Sequence, residues 1–217
     1  IINVDWYFQL HWMDRARAAL DNDFHVVVAM NCTDSRVVKD IEDSGIRVIN
    51  YDIDRKGLNP FSELRSIIQL YSIVRTEKPD LIHAVTVKPN LYGSLVSMLQ
   101  KVPYVCSVTG LGYAFSSGSM KAGFLRIVIR AMYRVITSAN NCRILFENYD
   151  DISTLVDSGA VPADKAIRIP GAGVDCMTYH YSHEPEVVPV RILCAARMLY
   201  DKGIVEIVEA SRQLSSN

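Results

Sequence analysis

Short apolar runs rich in β-branched residues alternate along this chain with longer stretches whose apolar residues recur every three or four positions. The runs Ile1–Val4, His25–Met30, Arg47–Asn50, Asp80–Val85, Tyr104–Val108, Arg143–Phe146 and Ala166–Ile169 predict strands, with helices between most of them. Repeated β-α alternation of this kind predicts an α/β fold in which a parallel sheet carries helices on both faces. Pro60 opens a helix that places Leu64, Ile67, Ile68, Tyr71 and Val74 on one side, and Pro79 ends it. Lys88-Pro-Asn leads into a second helix over Leu91–Gln100. Asn148, followed by Asp150 and Asp151, is an N-cap with acids at the head of another.

The pattern changes after residue 170. Pro170–Pro189 holds three prolines and two glycines and has little periodicity, which predicts a linker over 171–189. Val190–Ala196 then predicts a strand and Gly203–Leu214 a helix. That single β-α unit is too small to bury its own apolar face. The expected organisation is a first domain over 1–170, the linker, and the start of a second domain over 190–217, so that the chain is expected to be part of a longer protein.

At 217 residues, 49% hydrophobic and 22% charged, the composition excludes a disordered, collagen-like or coiled-coil chain. A net charge of −1 argues against a general nucleic-acid binder. Cys32, Cys106, Cys142, Cys176 and Cys194 show no metal-site spacing and lie mostly in or beside apolar runs, as expected of reduced thiols in the cytosol, and no metal is expected. The uncharged stretch from Val102 to Met120 is broken by Pro103 and by Gly110, Gly112 and Gly118, which makes it a poor membrane span.

The charge is unevenly spread. From Leu81 to Phe146 there is no Asp or Glu, while Lys88, Lys101, Lys121, Arg126, Arg130, Arg134 and Arg143 fall in that window. A helix over Gly123–Thr137 would carry Arg126, Arg130 and Arg134 as one stripe, with Phe124, Ile127, Val128, Ala131, Met132, Val135 and Ile136 on the opposite arc. Two readings fit this pattern. In one the arginines are solvated on a helix that packs on the sheet; in the other the stripe, with Lys121 before it, meets anionic lipid head groups or a diphosphate-bearing acceptor.

Parallel sheets bind ligands at the carboxyl ends of their strands. After the first strand come Asp5, Trp6 and His11, suited either to hydrogen-bonding and stacking on a sugar or to packing on the fold. No G-x-G-x-x-G stands there, which argues against a nicotinamide or flavin cofactor. His83 fits a core position in its strand. Thr86 and Lys88 follow, and the Lys88 amine before a helix start suits an anion. The next strand leads into Thr109, Gly110, Gly112 and Tyr113, where glycines permit close backbone approach to a ligand or a simple turn. Arg197 and Lys202 flank a helix start and could clamp a diphosphate or be two exposed charges.

Several of these segments together resemble the retaining glycosyltransferases of family 4. Ala196-Arg-Met-Leu-Tyr-Asp-Lys-Gly203 is similar to that family's G-R-hydrophobic-x-x-x-K-G pattern, with Ala196 in place of glycine, and Ile169-Pro-Gly-Ala-Gly-Val-Asp175 resembles its interdomain crossover. Thr86-Val-Lys-Pro-Asn-Leu-Tyr-Gly93, Val108-Thr-Gly-Leu-Gly-Tyr-Ala-Phe-Ser116 and Phe146-Glu-Asn-Tyr-Asp-Asp151 resemble the branch that builds lipid-linked surface polysaccharides. The resemblance implies a GT-B fold: a Rossmann-like acceptor domain followed here by one β-α unit of an incomplete, Rossmann-like donor domain. It implies a sugar moved from a nucleotide sugar, a UDP-sugar, to a polyprenyl-diphosphate-linked saccharide by a peripheral enzyme on the cytoplasmic face of the membrane, with neither metal nor nucleic acid. By the resemblance Arg197 and Lys202 hold the donor diphosphate. Asp5, Trp6, His11, Thr86, Lys88, Thr109, Gly110, Gly112 and Tyr113 face acceptor and sugar, and Lys121, Arg126, Arg130 and Arg134 face the membrane. Thr109 stands where many relatives have a catalytic histidine, so no catalytic residue is assigned. The chain alone is expected to be a poor catalyst. A sugar-nucleotide epimerase of the same fold and a non-catalytic acceptor- or lipid-binding module are the alternatives.

Overall fold

A computed structural model of the chain describes residues 1–54, 59–111, 120–138, 141–171, 173–183, 191–196, 198 and 202–215. The elements in order are α1 (Asp5–His11), α2 (Met13–Leu20), β1 (Val27–Met30), α3 (Ser35–Asp43), β2 (Arg47–Asn50), α4 (Pro60–Glu77), β3 (Ile82–Val85), α5 (Val87–Gln100) and β4 (Tyr104–Val108). They continue with α6 (Met120–Ser138), β5 (Cys142–Phe146), α7 (Tyr149–Asp157), β6 (Ala166–Arg168) and α8 (Ile204–Ser215). By its internal contacts the chain divides into Ile1–Gly173 and Val174–Asn217.

In the first unit β1 pairs with β2, and β3, β4, β5 and β6 pair in that order, all parallel. The extended segment Ile1–Val4 joins the two sets. On one side the Ile2 amide donates to the Ala29 carbonyl at 3.0 Å, and on the other the Val85 amide donates to the Ile1 carbonyl at 2.9 Å. The pleat then sorts the core. Ala29, Ile82, Ala84, Tyr104, Cys106, Val108, Ile144 and Phe146 point to one face, where Leu70, Val74, Tyr92, Val96, Tyr133, Ile136 and Leu155 of α4 to α7 cover them. Val28, Met30 and Val85 point to the other face, under Phe8, Trp12, Met13, Ala16 and Ile41 of α1 to α3. This second layer stops at β3: Ile167 and Ile169, beyond β5, remain exposed, and Val105 and Leu145 are half-buried.

The helix ends follow local chemistry. Asp34, Asn59 and Asn148 cap α3, α4 and α7 by accepting from the amides of Arg36, Phe61 and Asp151 at 2.8, 3.0 and 2.7 Å. α4 stops at Lys78, whose left-handed backbone precedes Pro79. Three features differ from the sequence expectation. Residues 5–11, which the sequence pattern gives only as the stretch after the first strand, form α1, because Val4, Phe8, Trp12 and Ala16 bury one stripe at four-residue spacing. In the second unit, residues 191–196 are exposed and pair with no strand among the described residues, so the ladder expected over 190–196 is not formed there. The helix after it, α8, is present.

The third difference is the orientation of α6. The sequence reading set an apolar arc of Phe124, Ile127, Val128, Ala131, Met132, Val135 and Ile136 against the core. In the structure Ile129, Met132, Tyr133 and Ile136 are buried, whereas Phe124, Ile127, Val128, Ala131 and Val135 face solvent. The arginines lie between the two arcs. Arg126 and Arg130 are half-buried, and Arg134 donates to the carbonyls of Gly159 and Ser158 at 3.2 and 3.1 Å, closing the end of α7. Among the described residues no helix is long and apolar enough to cross a membrane.

Candidate functional site

A cavity of about 210 Å³ opens where the second helical layer ends, at the carboxyl edge of β4 to β6. Trp12, between α1 and α2, and Arg15 of α2 form one wall, His83 and Ser107 the floor, and Leu145, Glu147 and Ile169 the far side. His83 Nε2 and Ser107 Oγ are 2.9 Å apart, and the Trp12 ring meets the His83 ring edge-on with centroids 5.3 Å apart. The Arg15 guanidinium lies 4.3 Å from the centre of the Trp12 ring. Burial, with smaller contributions from the chain's first amine and Arg15, lowers the His83 pKa to about 4. His83 is therefore neutral at pH 7, with one ring nitrogen engaged by Ser107. An aromatic wall, a neutral imidazole, a hydroxyl, a cation and a carboxylate around a mostly apolar hollow suit a polyhydroxylated ring.

A wider hollow of about 850 Å³ lies at the carboxyl ends of β1 and β2, lined by Asn31, Asp52, Ile53, Asp54, Ser62, Arg65 and Ser66. Two carboxylates against the one guanidinium of Arg65, which lies 3.8 Å from Asp52, disfavour a diphosphate among the described residues there, so the smaller cavity is the better candidate for a phosphate-linked sugar.

The residues singled out from sequence have different fates. Asp5 is fully buried and its carboxylate is occupied: Oδ2 accepts from the amides of Thr33 and Asp34, and Oδ1 from the Thr33 hydroxyl at 2.7 Å and the Trp6 amide at 2.8 Å. Those hydrogen bonds outweigh burial and hold its pKa below the usual carboxylate range, although burial acts the other way and is the largest single influence. Asp5 thus ties the start of α1 to the turn after β1 rather than presenting itself to a sugar. Trp6 is exposed, and His11 is exposed with its ring 4.7 Å from that of Tyr7. Lys88 Nζ donates to Glu63 Oε1 at 2.7 Å and to the Asp54 carbonyl at 2.6 Å, bracing α5 against the first turn of α4. Thr109 is half-buried at the end of β4, and Gly110 after it has φ +121°. Lys202 is exposed ahead of α8. Gly112, Tyr113 and Arg197 lie outside the described residues, as does the Lys121 side chain.

Thr86 stands out. It links β3 to α5 with φ +77°, an unfavourable conformation for a β-branched residue, and its buried Oγ1 has no hydrogen-bond partner. Strain and an orphaned hydroxyl coincide at a strand's carboxyl end. Among the described residues no three His, Cys, Asp or Glu side chains are grouped so as to hold a metal ion.

A family model described as glycosyl transferase 4-like matches residues 1–141. The chain belongs to the glycosyl transferase 4-like family. It is 27% identical over 188 residues, 80% of its length and 49% of the relative's, to the N,N'-diacetylbacillosaminyl-diphospho-undecaprenol alpha-1,3-N-acetylgalactosaminyltransferase of Campylobacter jejuni. It is 28% identical over 91 residues, 42% of its length and 23% of the relative's, to the UDP-Gal:alpha-D-GlcNAc-diphosphoundecaprenol alpha-1,3-galactosyltransferase of Escherichia coli. The chain thus spans about half the length of the first of these relatives and about a quarter of the second. Among solved structures it is similar to the Anabaena protein HepE in complex with UDP and glucose, with a TM-score of 0.59 at 16% identity over 83% of this chain and 46% of that one. A UDP-GlcNAc 2-epimerase of Neisseria meningitidis matches with a TM-score of 0.55 at 16% identity over 77% and 44%. These likenesses assign the fold, that of the N-terminal half of GT-B structures.

In this glycosyl transferase 4-like chain, sequence reasoning missed Arg15, Ser107 and Glu147 and took His83 for a core residue. Nothing local to Arg15 marks it, and only the meeting of α2 with the far strands makes it part of a cavity wall. Ser107 carries a signal that can be read: a hydroxyl inside an apolar strand needs a partner when buried.

Proposed function

We propose that this chain is the acceptor half of a glycosyltransferase that moves a sugar from a UDP-sugar onto a polyprenyl-diphosphate-linked saccharide at the cytoplasmic face of a membrane. The observation that carries the reading is the relationship, over 80% of this chain, to a transferase whose acceptor is an undecaprenyl-diphosphate-linked saccharide. A second relative's name specifies the same class of acceptor.

In such a transfer the bond from the donor sugar's C1 to the diphosphate oxygen breaks, and a bond from C1 to an acceptor hydroxyl oxygen forms. The departing diphosphate oxygen of UDP takes the bonding electron pair and accepts the proton that the hydroxyl gives up. Arg197 and Lys202 are suited to the charge growing on the UDP. On the acceptor side, the cavity beneath Trp12 takes the saccharide ring, with His83, Ser107 and Glu147 hydrogen-bonding its hydroxyls and Arg15 near the first phosphate. The strained Thr86 and the turn at Thr109–Gly110 lie at the same edge of the sheet and position the acceptor chain. No metal is required of this arrangement.

The test is saturation-transfer NMR of a short-chain polyprenyl-diphosphate disaccharide with this chain. Saturation transfer to the sugar protons, lost in Arg15→Ala and His83→Gln variants that remain folded, is expected. Equal transfer in wild type and both variants removes the cavity from the reading. A sugar-nucleotide epimerase is the second reading, favoured by the fold shared with UDP-GlcNAc 2-epimerases. It predicts binding of UDP-N-acetylhexosamine and indifference to the lipid-linked saccharide.

A further inference from the structure

The cavity beside Trp12 joins polar and aliphatic groups in a fixed order. At about 210 Å³ it is smaller than the roughly 300 Å³ at which pockets enclosing a whole small ligand begin, so its depth takes one substituent of a ring held at the mouth. Strand register sets what that substituent meets. Ser107 on β4 is the cross-strand partner of Leu145 on β5, and Glu147 follows two residues further along the same face. Ile169 is drawn alongside by its amide, which donates to the Phe146 carbonyl at 2.8 Å. One strand spacing across and two residues along put the Ser107 and Glu147 backbones about 8 Å apart, with Leu145 beside the first and Ile169 beside the second. The buried Ser107 hydroxyl has one hydrogen-bond partner among the described residues, His83 Nε2 at 2.9 Å, and so keeps capacity for another. Charge narrows the choice further. Arg15 stands over Trp12 and donates to the His11 carbonyl at 3.3 Å, while Glu147 lies on the opposite side. An ammonium group would face Arg15 and a carboxylate would face Glu147, which favours an uncharged substituent.

We infer that the depth of this cavity holds the acetamido group of an N-acetylated acceptor sugar: the Ser107 hydroxyl donates to the acetyl carbonyl, Glu147 accepts from the amide N–H, and the methyl group rests against Leu145 and Ile169. A trans amide points its C=O and N–H in opposite directions, which lets one group bridge two side chains whose backbones are about 8 Å apart. In this arrangement the His83 Nε2–H donates to the Ser107 oxygen and leaves the Ser107 proton for the carbonyl. A hydroxyl in place of the acetamido group reaches Ser107 or Glu147 but not both, and it leaves the two aliphatic side chains against water. Ser107 and Glu147 are thus the residues that distinguish an N-acetylated sugar from a plain hexose. The inference rests on the acceptor reading of this cavity and adds to it the class of sugar.

The experiment is calorimetric titration of this chain with citronellyl diphosphates that carry N-acetylglucosamine, glucosamine or glucose, and with the corresponding galacto series. In the better-bound series the N-acetylated ligand is expected to bind about tenfold or more tightly than the plain hexose. Ser107→Ala with Glu147→Ala is expected to cut that ratio to about twofold or less. The ratio compares two ligands on one protein, so a general loss of folded material does not imitate the effect, and circular dichroism checks the fold. Saturation-transfer NMR on the wild type is expected to show the acetyl methyl as the most strongly saturated group of the ligand. Equal affinity for N-acetylated sugar and hexose overturns the inference, as does a preference that the double substitution leaves intact. Tighter binding of the amino sugar than of its N-acetylated form also overturns it, since Glu147 would then be reading charge. Each of these three results leaves the acceptor reading standing. Failure of every diphosphate-linked sugar to bind refutes the acceptor reading of the cavity, and the inference with it.

Discussion

Replacing Asp5 by Asn changes one atom of a fully buried side chain and turns an acceptor into a donor. The two oxygens accept four hydrogen bonds, two from the backbone amides of Thr33 and Asp34 and two from the Thr33 hydroxyl and the Trp6 amide. Whichever way the Asn amide turns, its NH2 group faces donors that the carboxylate oxygen had satisfied. Hydrogen bonds to a charged group are worth about 1.5–3 kcal/mol each, so losing two costs about 3–6 kcal/mol, a large share of a domain's stability. In equilibrium urea unfolding, with a slope of about 2 kcal/mol/M, the midpoint should fall by about 1.5–3 M at unchanged slope. The pH dependence has a definite sign. A folded-state pKa below the unfolded value near 3.9 means that stability is present above that pH and lost as pH falls through the folded pKa, and Asp5→Asn should remove that acid-side loss. The control is the exposed Trp6→Ala, expected to shift stability by less than about 1 kcal/mol. An Asp5→Asn protein within about 0.5 kcal/mol of wild type that fails to bind saccharide would refute the clamp and return Asp5 to the sugar site.

Three further outcomes are expected. His83 is neutral when folded down to about pH 4 but would titrate near 6.5 in the unfolded chain, so stability should fall by about 3 kcal/mol as pH drops through that window. His83→Gln should flatten that part of the pH profile in urea titrations, and an unaltered profile would contradict the buried neutral imidazole. Thr86→Gly should leave stability unchanged or raise it by up to about 1 kcal/mol, because glycine relieves the positive φ, yet weaken acceptor binding measured by NMR; a large loss of stability would contradict stored strain. Lys88 and Glu63, with side chains only 17% and 22% exposed, should show a coupling of about 1–2 kcal/mol in a double-mutant cycle of Lys88→Met and Glu63→Gln, whereas a zero coupling would make the pair incidental.

The elements that sequence patterning located are those fixed by local chemistry. β2 and β4 begin and end where their apolar runs do, and the caps at Asn59 and Asn148 mark helix starts in both sequence and structure. The failures share a cause. α6 has two apolar arcs, and periodicity says that a face is apolar but not which face meets the sheet; Ile129 and Tyr133 prevailed over Phe124 and Ile127. Lys88 looked free for an anion because its partner Glu63 lies 25 positions away in another helix. Asp5 looked available because its acceptors' partners, Thr33 and Asp34, follow a different strand. The run at 190–196 has strand composition, but a strand needs a neighbour, and none among the described residues pairs with it. The cavity beside Trp12 was invisible for the same reason: α2, β3, β4 and β5 contribute to it from positions spread over more than half of the chain.

The most direct test of the central claim follows labelled sugar from a panel of UDP-sugars into undecaprenyl-diphosphate-linked saccharide, using the protein with a complete second domain in anionic vesicles. The account predicts transfer from one UDP-sugar, abolished by Arg197→Ala with Lys202→Ala and strongly reduced by Arg15→Ala. Release of free or epimerised sugar nucleotide with no label in lipid, or no turnover of any UDP-sugar, would contradict it.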